Sequence, residues 1–223
     1  MTKKEIVRVT TSQEDIKISY GKISKLYSLA EWFERGARKR ALQLLDVREG
    51  ETVLEIGFGT GFGLVEIAKS VGEIGKAYGV DITPEMVKLA RERLEKEGLT
   101  ERVELYEGDA RKMPYAENMF DAVYMATTLE LFDEPDIPRV LGEIKRVLKS
   151  TGRLGVVSIP KEGYEDSWVL RVYEYLHGRF PKYVSCRPIY VQDSIRDAGY
   201  KIMKTDETKI AKLFPMKIVV ARL

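Results

Sequence analysis

Three glycines that follow an acidic residue at the end of a short apolar run are the residues of this chain best suited to ligand chemistry. The segment 53–61 reads VLEIGFGTG, with Glu55 two positions before Gly57, and with Gly59 and Gly61 after it. Such glycines allow the positive φ angles of a sharp strand-to-helix turn and let a ligand approach the bare backbone. A carboxylate at the tip of that strand repels a pyrophosphate and suits a cationic ligand that carries an amine.

Two common phosphate-binding loops are absent from the sequence. The dinucleotide fingerprint G-x-G-x-x-G fails because its last position is Phe62, and no G-x-x-x-x-G-K-[ST] loop occurs. S-adenosylmethionine (SAM) carries an amino-acid head and a sulfonium cation but no phosphate. The glycine loop therefore predicts SAM as the cofactor.

Further polar residues come at the ends of other short apolar runs. Asp81 ends a run 20 residues after Gly61, where a carboxylate can accept hydrogen bonds from both ribose hydroxyls. Asp109 ends a third run and can accept from an adenine amino group, while the N–H of Ala110 donates to the ring. A fourth run leads to Thr127. Because open α/β sheets bind ligands at the carboxyl ends of their strands, these residues predict one shared site.

From Val53 to about Ile159 the chain resembles the class I (Rossmann-like) SAM-dependent methyltransferases. The matching stretches are 55–61, 80–86, 108–110, 113–121 and 143–149. The last two are most similar to the broad subgroup of quinone-biosynthesis and sterol-type methyltransferases. The resemblance implies the following cofactor contacts: Glu55 and the loop of Gly57, Gly59 and Gly61 for the methionyl end, Asp81 for the ribose, Ile82 and Met86 on the adenine faces, and Asp109 with Ala110 at the adenine edge.

The residues after the fourth run are the candidates for handling the methyl acceptor. They read ATTLE (126–130) in place of the Asn/Asp-Pro-Pro-Tyr signature of many exocyclic-amine methyltransferases, and LELF (129–132) replaces the subgroup's histidine-rich stretch. We predict that Thr127 holds an acceptor amine or hydroxyl and that Glu130 accepts a proton. The alternative for Glu130 is an ordinary charge on a helix surface.

Apolar runs and helical patterns alternate along the chain. Helices are predicted over 62–71, 84–98, 136–149 and 191–198, and the later strands over 155–159, 200–203 and 217–222. This alternation predicts an α/β fold with a three-layer, doubly wound, mostly parallel seven-stranded sheet. We divide the chain into an N-terminal helical cap segment (1–50) and a Rossmann-like methyltransferase domain (51–223), with an acceptor-side insertion over 160–190.

Composition narrows the class of protein. The chain has 223 residues, of which 44% are hydrophobic and 32% charged, with one cysteine and one histidine, so we expect no intrachain disulfide and no metal centre. No apolar run approaches the roughly 20 residues of a bilayer span, and no signal segment follows the start, so we expect a cytoplasmic protein. Scarce amides among many Lys, Arg and Glu indicate a thermophilic source, with ordinary compositional drift as the alternative.

Charge is distributed unevenly along the chain. Residues 1–50 hold 11 Lys/Arg against 7 Asp/Glu, residues 51–159 hold 14 against 20, and residues 160–223 hold 12 against 8. The positive flanks are either solvated helix faces or an approach surface for an anionic acceptor. The basic clusters are Arg35, Arg38, Lys39 and Arg40, and then Arg179, Lys182 and Arg187.

Three hypotheses for the function follow. The first is methyl transfer to a nitrogen or oxygen of an anionic acceptor, with an RNA base favoured. The second is a small-molecule or lipid/quinone-type methyltransferase, and the third is a non-catalytic SAM-binding protein. Retention of Glu55, Asp81 and Asp109 argues against the third.

Overall fold

The computed structural model describes residue 6, residues 24–181 and residues 183–223, with the side chains of the first helix described from Glu31 onward. In chain order the helices are α1 (Ser24–Leu45), α2 (Phe62–Val71), α3 (Pro84–Lys96), α4 (Ile137–Val147), α5 (Trp168–Arg179) and α6 (Val191–Asp197). The strands are β1 (Thr52–Ile56), β2 (Lys76–Asp81), β3 (Val103–Glu107), β4 (Phe120–Ala126), β5 (Leu148–Ser158), β6 (Lys201–Ile210) and β7 (Phe214–Arg222). Short 3₁₀ turns cover Thr100–Arg102 and Leu129–Leu131.

The seven strands form one sheet in the order β3-β2-β1-β4-β5-β7-β6. Strands β1 to β5 pair in parallel, whereas β7 pairs antiparallel with both β5 and β6. The predicted α/β fold with a mostly parallel seven-stranded sheet is confirmed. Strand order reverses direction between β1 and β4, and this switch point is where open α/β sheets bind ligands.

The central strands are apolar because both of their faces are covered. Leu54 and Ile56 of β1 face one core cluster and Val53 faces the other, and all three are at most 1% exposed. Helix α4 packs a continuous apolar stripe against the sheet, with Val140 and Ile144 fully buried. A sheet buried on both faces holds its strand ends in a fixed geometry for a site.

The C-terminal hairpin is longer than the sequence predicted. Strands β6 and β7 are joined by Ala211, Lys212 and Leu213, and the φ angles of the first two are 49° and 61°. Hairpin turns that need positive φ are usually predicted from Gly or Asn, and neither residue type occurs there. Strand β5 likewise begins at Leu148, directly after α4, rather than at residue 155.

Helix α1 packs on the sheet next to β4, β5, β6 and β7. It belongs to the predicted cap segment, of which residues 1–5 and 7–23 lie outside the described residues. The division of the chain at residue 50 and the insertion over 160–190 stay predictions.

None of the described helices is long and apolar enough to cross a membrane. In the same residues, no three His, Cys, Asp or Glu side chains converge so that they could hold a metal ion.

Candidate functional site

A cavity of about 300 Å³ opens at the carboxyl ends of β1, β2 and β4, at the switch point of the sheet. Eight of the predicted site residues line it: Gly57, Gly59, Asp81, Ile82, Met86, Asp109, Ala110 and Thr127. Three others, Glu55, Gly61 and Glu130, are buried behind its wall. The sequence therefore brought most of its candidates to one place, in two layers.

The three glycines of the loop have different physical roles. All three have positive φ angles, 67° at Gly57, 54° at Gly59 and 83° at Gly61. A Cβ on Gly57 would lie 2.4 Å from the Thr128 side chain, and a Cβ on Gly61 would lie 2.9 Å from that of Ala90 in α3. A Cβ on Gly59 would meet no atom within 4 Å. Two glycines thus allow close packing, and the middle one leaves the backbone open to the cavity.

Asp81 holds the glycine loop in place from the end of β2. Its Oδ2 accepts from the Gly59 N–H at 2.9 Å and its Oδ1 from the Thr83 N–H at 2.9 Å. Burial raises the pKa of the carboxyl to about 6, although these hydrogen bonds oppose the rise. The carboxylate also lines the cavity, where it can accept from the hydroxyls of a ribose.

Glu55 lies in a fully buried position beneath the start of α2. A Cβ on Gly63 would lie 2.2 Å from Glu55 Oε1, so the carboxylate occupies the space that this glycine leaves. Neither carboxylate oxygen has a hydrogen-bond partner among the described residues. Desolvation raises the pKa of Glu55 to about 8, and Arg38 opposes the rise. An unpaired buried acid behind a glycine loop is suited to a cationic amine, directly or through a water molecule.

Asp109 forms an ion pair with Arg111, a residue that was not among those predicted from the sequence. Both of its oxygens accept from the guanidinium of Arg111, the shortest distance being 2.6 Å from Nη2 to Oδ2, and Arg111 Nη1 also donates to Asp136 at 2.6 Å. This fork fixes the carboxylate on the cavity wall. Beside it Met86 and Ala110, both buried, contribute apolar side chains to the lining of the same cavity. The residues of this half of the cavity fit SAM.

Thr127 lies on the opposite half of the cavity in a strained backbone conformation. Its φ is 50°, which is unusual for a β-branched residue and is typical of functional turns. Its hydroxyl accepts from Arg38 Nη2 at 3.0 Å and lies 3.1 Å from Glu34 Oε2. The predicted acceptor contact at Thr127 therefore belongs to a larger polar group that includes two residues of α1.

Glu130 is neither a surface charge nor a lining residue of the cavity. Its side chain is fully buried in the 3₁₀ turn after β4, and Oε1 accepts from the Ile159 N–H at 3.1 Å. Burial raises its pKa to about 7. The alternative of a helix-surface charge is wrong for this position. The proton-accepting role of Glu130 stays a prediction.

Helix α1 supplies the site residues that the sequence reading missed. Glu31, Glu34 and Arg38 line the cavity, and Arg38 Nη2 donates to Glu34 Oε2 at 2.7 Å. Glu31 accepts from the hydroxyl of Thr60 and, at 2.9 Å, from Arg93 Nη1, so it connects α1 to the glycine loop and α3. Their spacing of i, i+3 and i+7 puts the three residues on one helix face. This spacing is the feature of the sequence from which a shared polar site on α1 could have been predicted.

Most of the basic side chains that the structure describes in the two clusters are paired with carboxylates or buried. In the first, each charge lies within 4 Å of a carboxylate: Arg35 with Glu31, Arg38 with Glu34, Lys39 with Glu66 and Arg40 with Asp206. In the second, Arg187 is fully buried and donates to the Phe132 carbonyl at 2.6 Å, and Lys182 lies outside the described residues. Arg179 lies over the ring of Phe180. The expectation that both clusters are exposed is therefore corrected at Arg38 and Arg187, which face inward.

Comparison with known proteins gives concordant matches. Residues 53–152 match the family model described as a methyltransferase domain. The chain is 34% identical over 138 residues to the demethylmenaquinone methyltransferase of Lactobacillus johnsonii, a match that covers 62% of this chain but only 55% of that relative. A relative of the same name from Desulfitobacterium hafniense is 26% identical over 214 residues, which is 83% of this chain and 84% of the relative.

A solved structure extends the match over most of the chain. The crystal structure of a SAM-dependent methyltransferase from Aquifex aeolicus aligns with a TM-score of 0.63 and 30% identity, over 82% of this chain and 88% of that one. The fold of the present chain, its glycine loop and its acidic strand ends agree with the resemblance seen in the sequence. The chain belongs to the class I SAM-dependent methyltransferases.

Proposed function

We propose that the protein transfers the methyl group of SAM to a small, mostly apolar acceptor that carries a hydroxyl group, of the quinone type. The observation that carries the proposal is a single cavity with a cofactor half and an apolar half. The apolar half includes Leu131, Phe132, Tyr173 and Val184. The name of the relatives, demethylmenaquinone methyltransferase, supports the same acceptor class.

The chain's residues would act mainly by binding and alignment. SAM supplies a methyl group already activated on a sulfonium. Glu55 would balance the charge of its amine, Asp81 would accept from the ribose hydroxyls, Ile82 and Met86 would flank the base, and Asp109 with Ala110 would bind its edge. Holding two reactants in line can contribute on the order of 7–11 kcal/mol to a barrier. Burial of these residues keeps water from the reacting atoms.

An RNA base remains the second candidate acceptor, with less support. The hypothesis rested on positive flanks, and in the first cluster every basic side chain has a carboxylate partner. Phosphate contacts need accessible Lys or Arg charges.

The cytoplasmic location and the thermophilic source also stay predictions from composition.

The test is methyl transfer from tritiated SAM to three separated fractions of source cells: total RNA, protein, and a lipid extract with its quinones chemically reduced. We expect label in the lipid fraction, with turnover that depends little on salt. Label in RNA, with rates that fall steeply between 50 and about 200 mM salt, would support the RNA reading instead. Tight SAM binding with no labelled fraction would favour the non-catalytic hypothesis.

A further inference from the structure

The half of the cavity opposite the glycine loop is lined by apolar side chains, by the uncharged Ser185 and Cys186, and by one charged group. Its apolar side chains come from the 3₁₀ turn after β4 and from the segment after α5, and they include Leu131, Phe132, Tyr183 and Val184. The charged group consists of Glu34 and Arg38 of α1, with the Thr127 hydroxyl beside them. Arg38 also acts electrostatically on Glu55, but among the described hydrogen bonds none joins the Glu34 or Thr127 side chain to a residue of the cofactor half.

One oxygen of Glu34 is fully used within this group, and the other is not. Oε2 accepts from Arg38 Nη2 at 2.7 Å and from Arg38 Nε at 3.1 Å, and it lies 3.1 Å from the Thr127 hydroxyl. No hydrogen bond from another described residue reaches Oε1. The side chains of Glu34 and Arg38 are only 19% and 11% exposed. The remaining acceptor therefore lies in a largely desolvated wall of the cavity.

A charged pair in such a wall is favourable only when its remaining polar atoms find partners. Arg38 and Glu34 form this pair, with Arg38 Nη2 2.7 Å from Glu34 Oε2. An ionised carboxylate accepts hydrogen bonds but cannot donate them. The ligand group that completes this site is thus a hydrogen-bond donor on an otherwise apolar molecule, which is a hydroxyl in the proposed acceptor.

We propose that Glu34, oriented by Arg38 and Thr127, is the residue that binds the hydroxyl group of the methyl acceptor through its Oε1. The inference rests on the proposed small-molecule function and specifies its acceptor subsite. Arg38 and Thr127 are positioning residues, since they act through Glu34. A hydrogen bond to a carboxylate draws the hydroxyl proton toward Glu34 and leaves the acceptor oxygen and its ring richer in electrons. As the acceptor atom forms its bond to the methyl carbon, the methyl–sulfur bond of SAM breaks, S-adenosylhomocysteine leaves, and the hydroxyl proton passes to Glu34.

Binding of two matched probes to the protein saturated with S-adenosylhomocysteine tests the subsite without turnover. The probes are naphthalene-1,4-diol under reducing conditions and 1,4-dimethoxynaphthalene, which has no donor. We expect the wild type to prefer the diol. Glu34→Gln should weaken diol binding roughly tenfold to hundredfold and leave the dimethoxy probe unchanged. Glu95→Gln, an exposed acid of α3, is the matched control and should change neither affinity.

A second pair of variants separates positioning from folding. Thr127→Ser keeps the hydroxyl and should keep diol affinity, whereas Thr127→Val should lose it. Unchanged S-adenosylhomocysteine affinity in every variant shows that the cofactor half is folded. Equal diol binding by wild type and Glu34→Gln, or no preference for the diol in the wild type, overturns the subsite. Label found in RNA in the transfer assay would overturn the proposed function separately, because that result does not depend on Glu34.

Discussion

At the residue scale, burial controls the acids that the site uses. Glu55 and Asp81 have pKa values raised to about 8 and about 6, and in both cases desolvation is the largest cause. Each lies at a strand end where neighbouring backbone, rather than water, surrounds the carboxyl group. A cationic or hydroxyl-bearing ligand that enters the cavity restores the interactions that burial removed.

Binding of SAM should therefore release a proton from Glu55. Below about pH 8 most Glu55 is protonated in the free protein, and only the ionised form attracts an amine. SAM affinity should rise with pH between about 6.5 and 8, by up to tenfold per unit, and Glu55→Gln should lose this component. Calorimetry in two buffers of different ionisation enthalpy measures the proton count directly. Identical pH slopes for the two proteins would contradict the role of Glu55.

Asp81 should dominate recognition of the ribose. Asp81→Asn removes charge-assisted hydrogen bonds worth ~1.5–3 kcal/mol, so SAM and S-adenosylhomocysteine should bind roughly tenfold to hundredfold more weakly. Asp46→Asn is the matched control, because that exposed acid pairs with Arg48 just after α1. Titration calorimetry on both variants decides the point. An unchanged affinity in Asp81→Asn would remove Asp81 from the cofactor site.

At the element scale, the turn between β1 and α2 combines packing and binding in five residues. Gly61 is the N-cap of α2 and touches α3 at Ala90, whereas Gly59 faces the cavity and donates its N–H to Asp81. The two glycines have similar positive φ angles but different surroundings. Substitution should therefore affect them in opposite ways.

Gly61→Ala should mainly destabilise the fold, and Gly59→Ala should mainly weaken cofactor binding. Both lose about 1–2 kcal/mol from an alanine at positive φ, and Gly61→Ala adds the clash with Ala90. The free energy of unfolding from urea titrations should thus fall further for Gly61→Ala. SAM affinity should fall further for Gly59→Ala, because its methyl group enters the open space. The opposite ranking in either measurement would contradict the assignment of packing to Gly61 and of cofactor binding to Gly59.

At the scale of the whole molecule, α1 lines one side of the site, and its C-terminal end is hydrogen-bonded to the sheet. Arg153 of β5 donates to the carbonyl oxygens of Leu45 and Asp46, at 2.7 Å each, and to both oxygens of Glu51. Seven residues after the start of α1, Glu31 connects the same helix to Thr60 of the glycine loop and to Arg93 of α3. The helix that carries Glu34 is therefore attached on both sides of that residue, to β5 at its C-terminal end and to the glycine loop and α3 at Glu31.

Arg153→Lys should destabilise the protein without a direct effect on the cofactor half. Lysine keeps the charge but cannot reach two carbonyls and a carboxylate at once, so we expect a loss of about 2–3 kcal/mol in the free energy of unfolding. Arg171→Lys, at an exposed pair with Asp166, should change it by less than about 0.5 kcal/mol. Chemical denaturation compares the two. A loss no larger in Arg153→Lys than in Arg171→Lys would mean that this connection does not hold α1.

The sequence by itself determined the sheet, the glycine loop and the acidic strand ends. These features are local, since an apolar run, a glycine that needs positive φ and an acid that ends a strand are adjacent in the chain. Parallel strands then bring Asp81 and Asp109 to one edge without further information. The same argument explains why the cofactor class was predicted correctly while the hairpin at Ala211 was not, because that turn lacks the usual residue types.

Only the tertiary structure decided which charges face inward and which half of the cavity they serve. Arg38 and Arg187 were counted as parts of positive surfaces, yet each is buried against a partner distant in the chain, Thr127 for the first and Phe132 for the second. Glu34 and Thr127 are 93 residues apart and meet only because α1 packs across the end of β4. The sequence shows that charges are close along a helix, but packing determines which of them face the interior and which face solvent. For this reason the acceptor side of the site could not be predicted from the sequence.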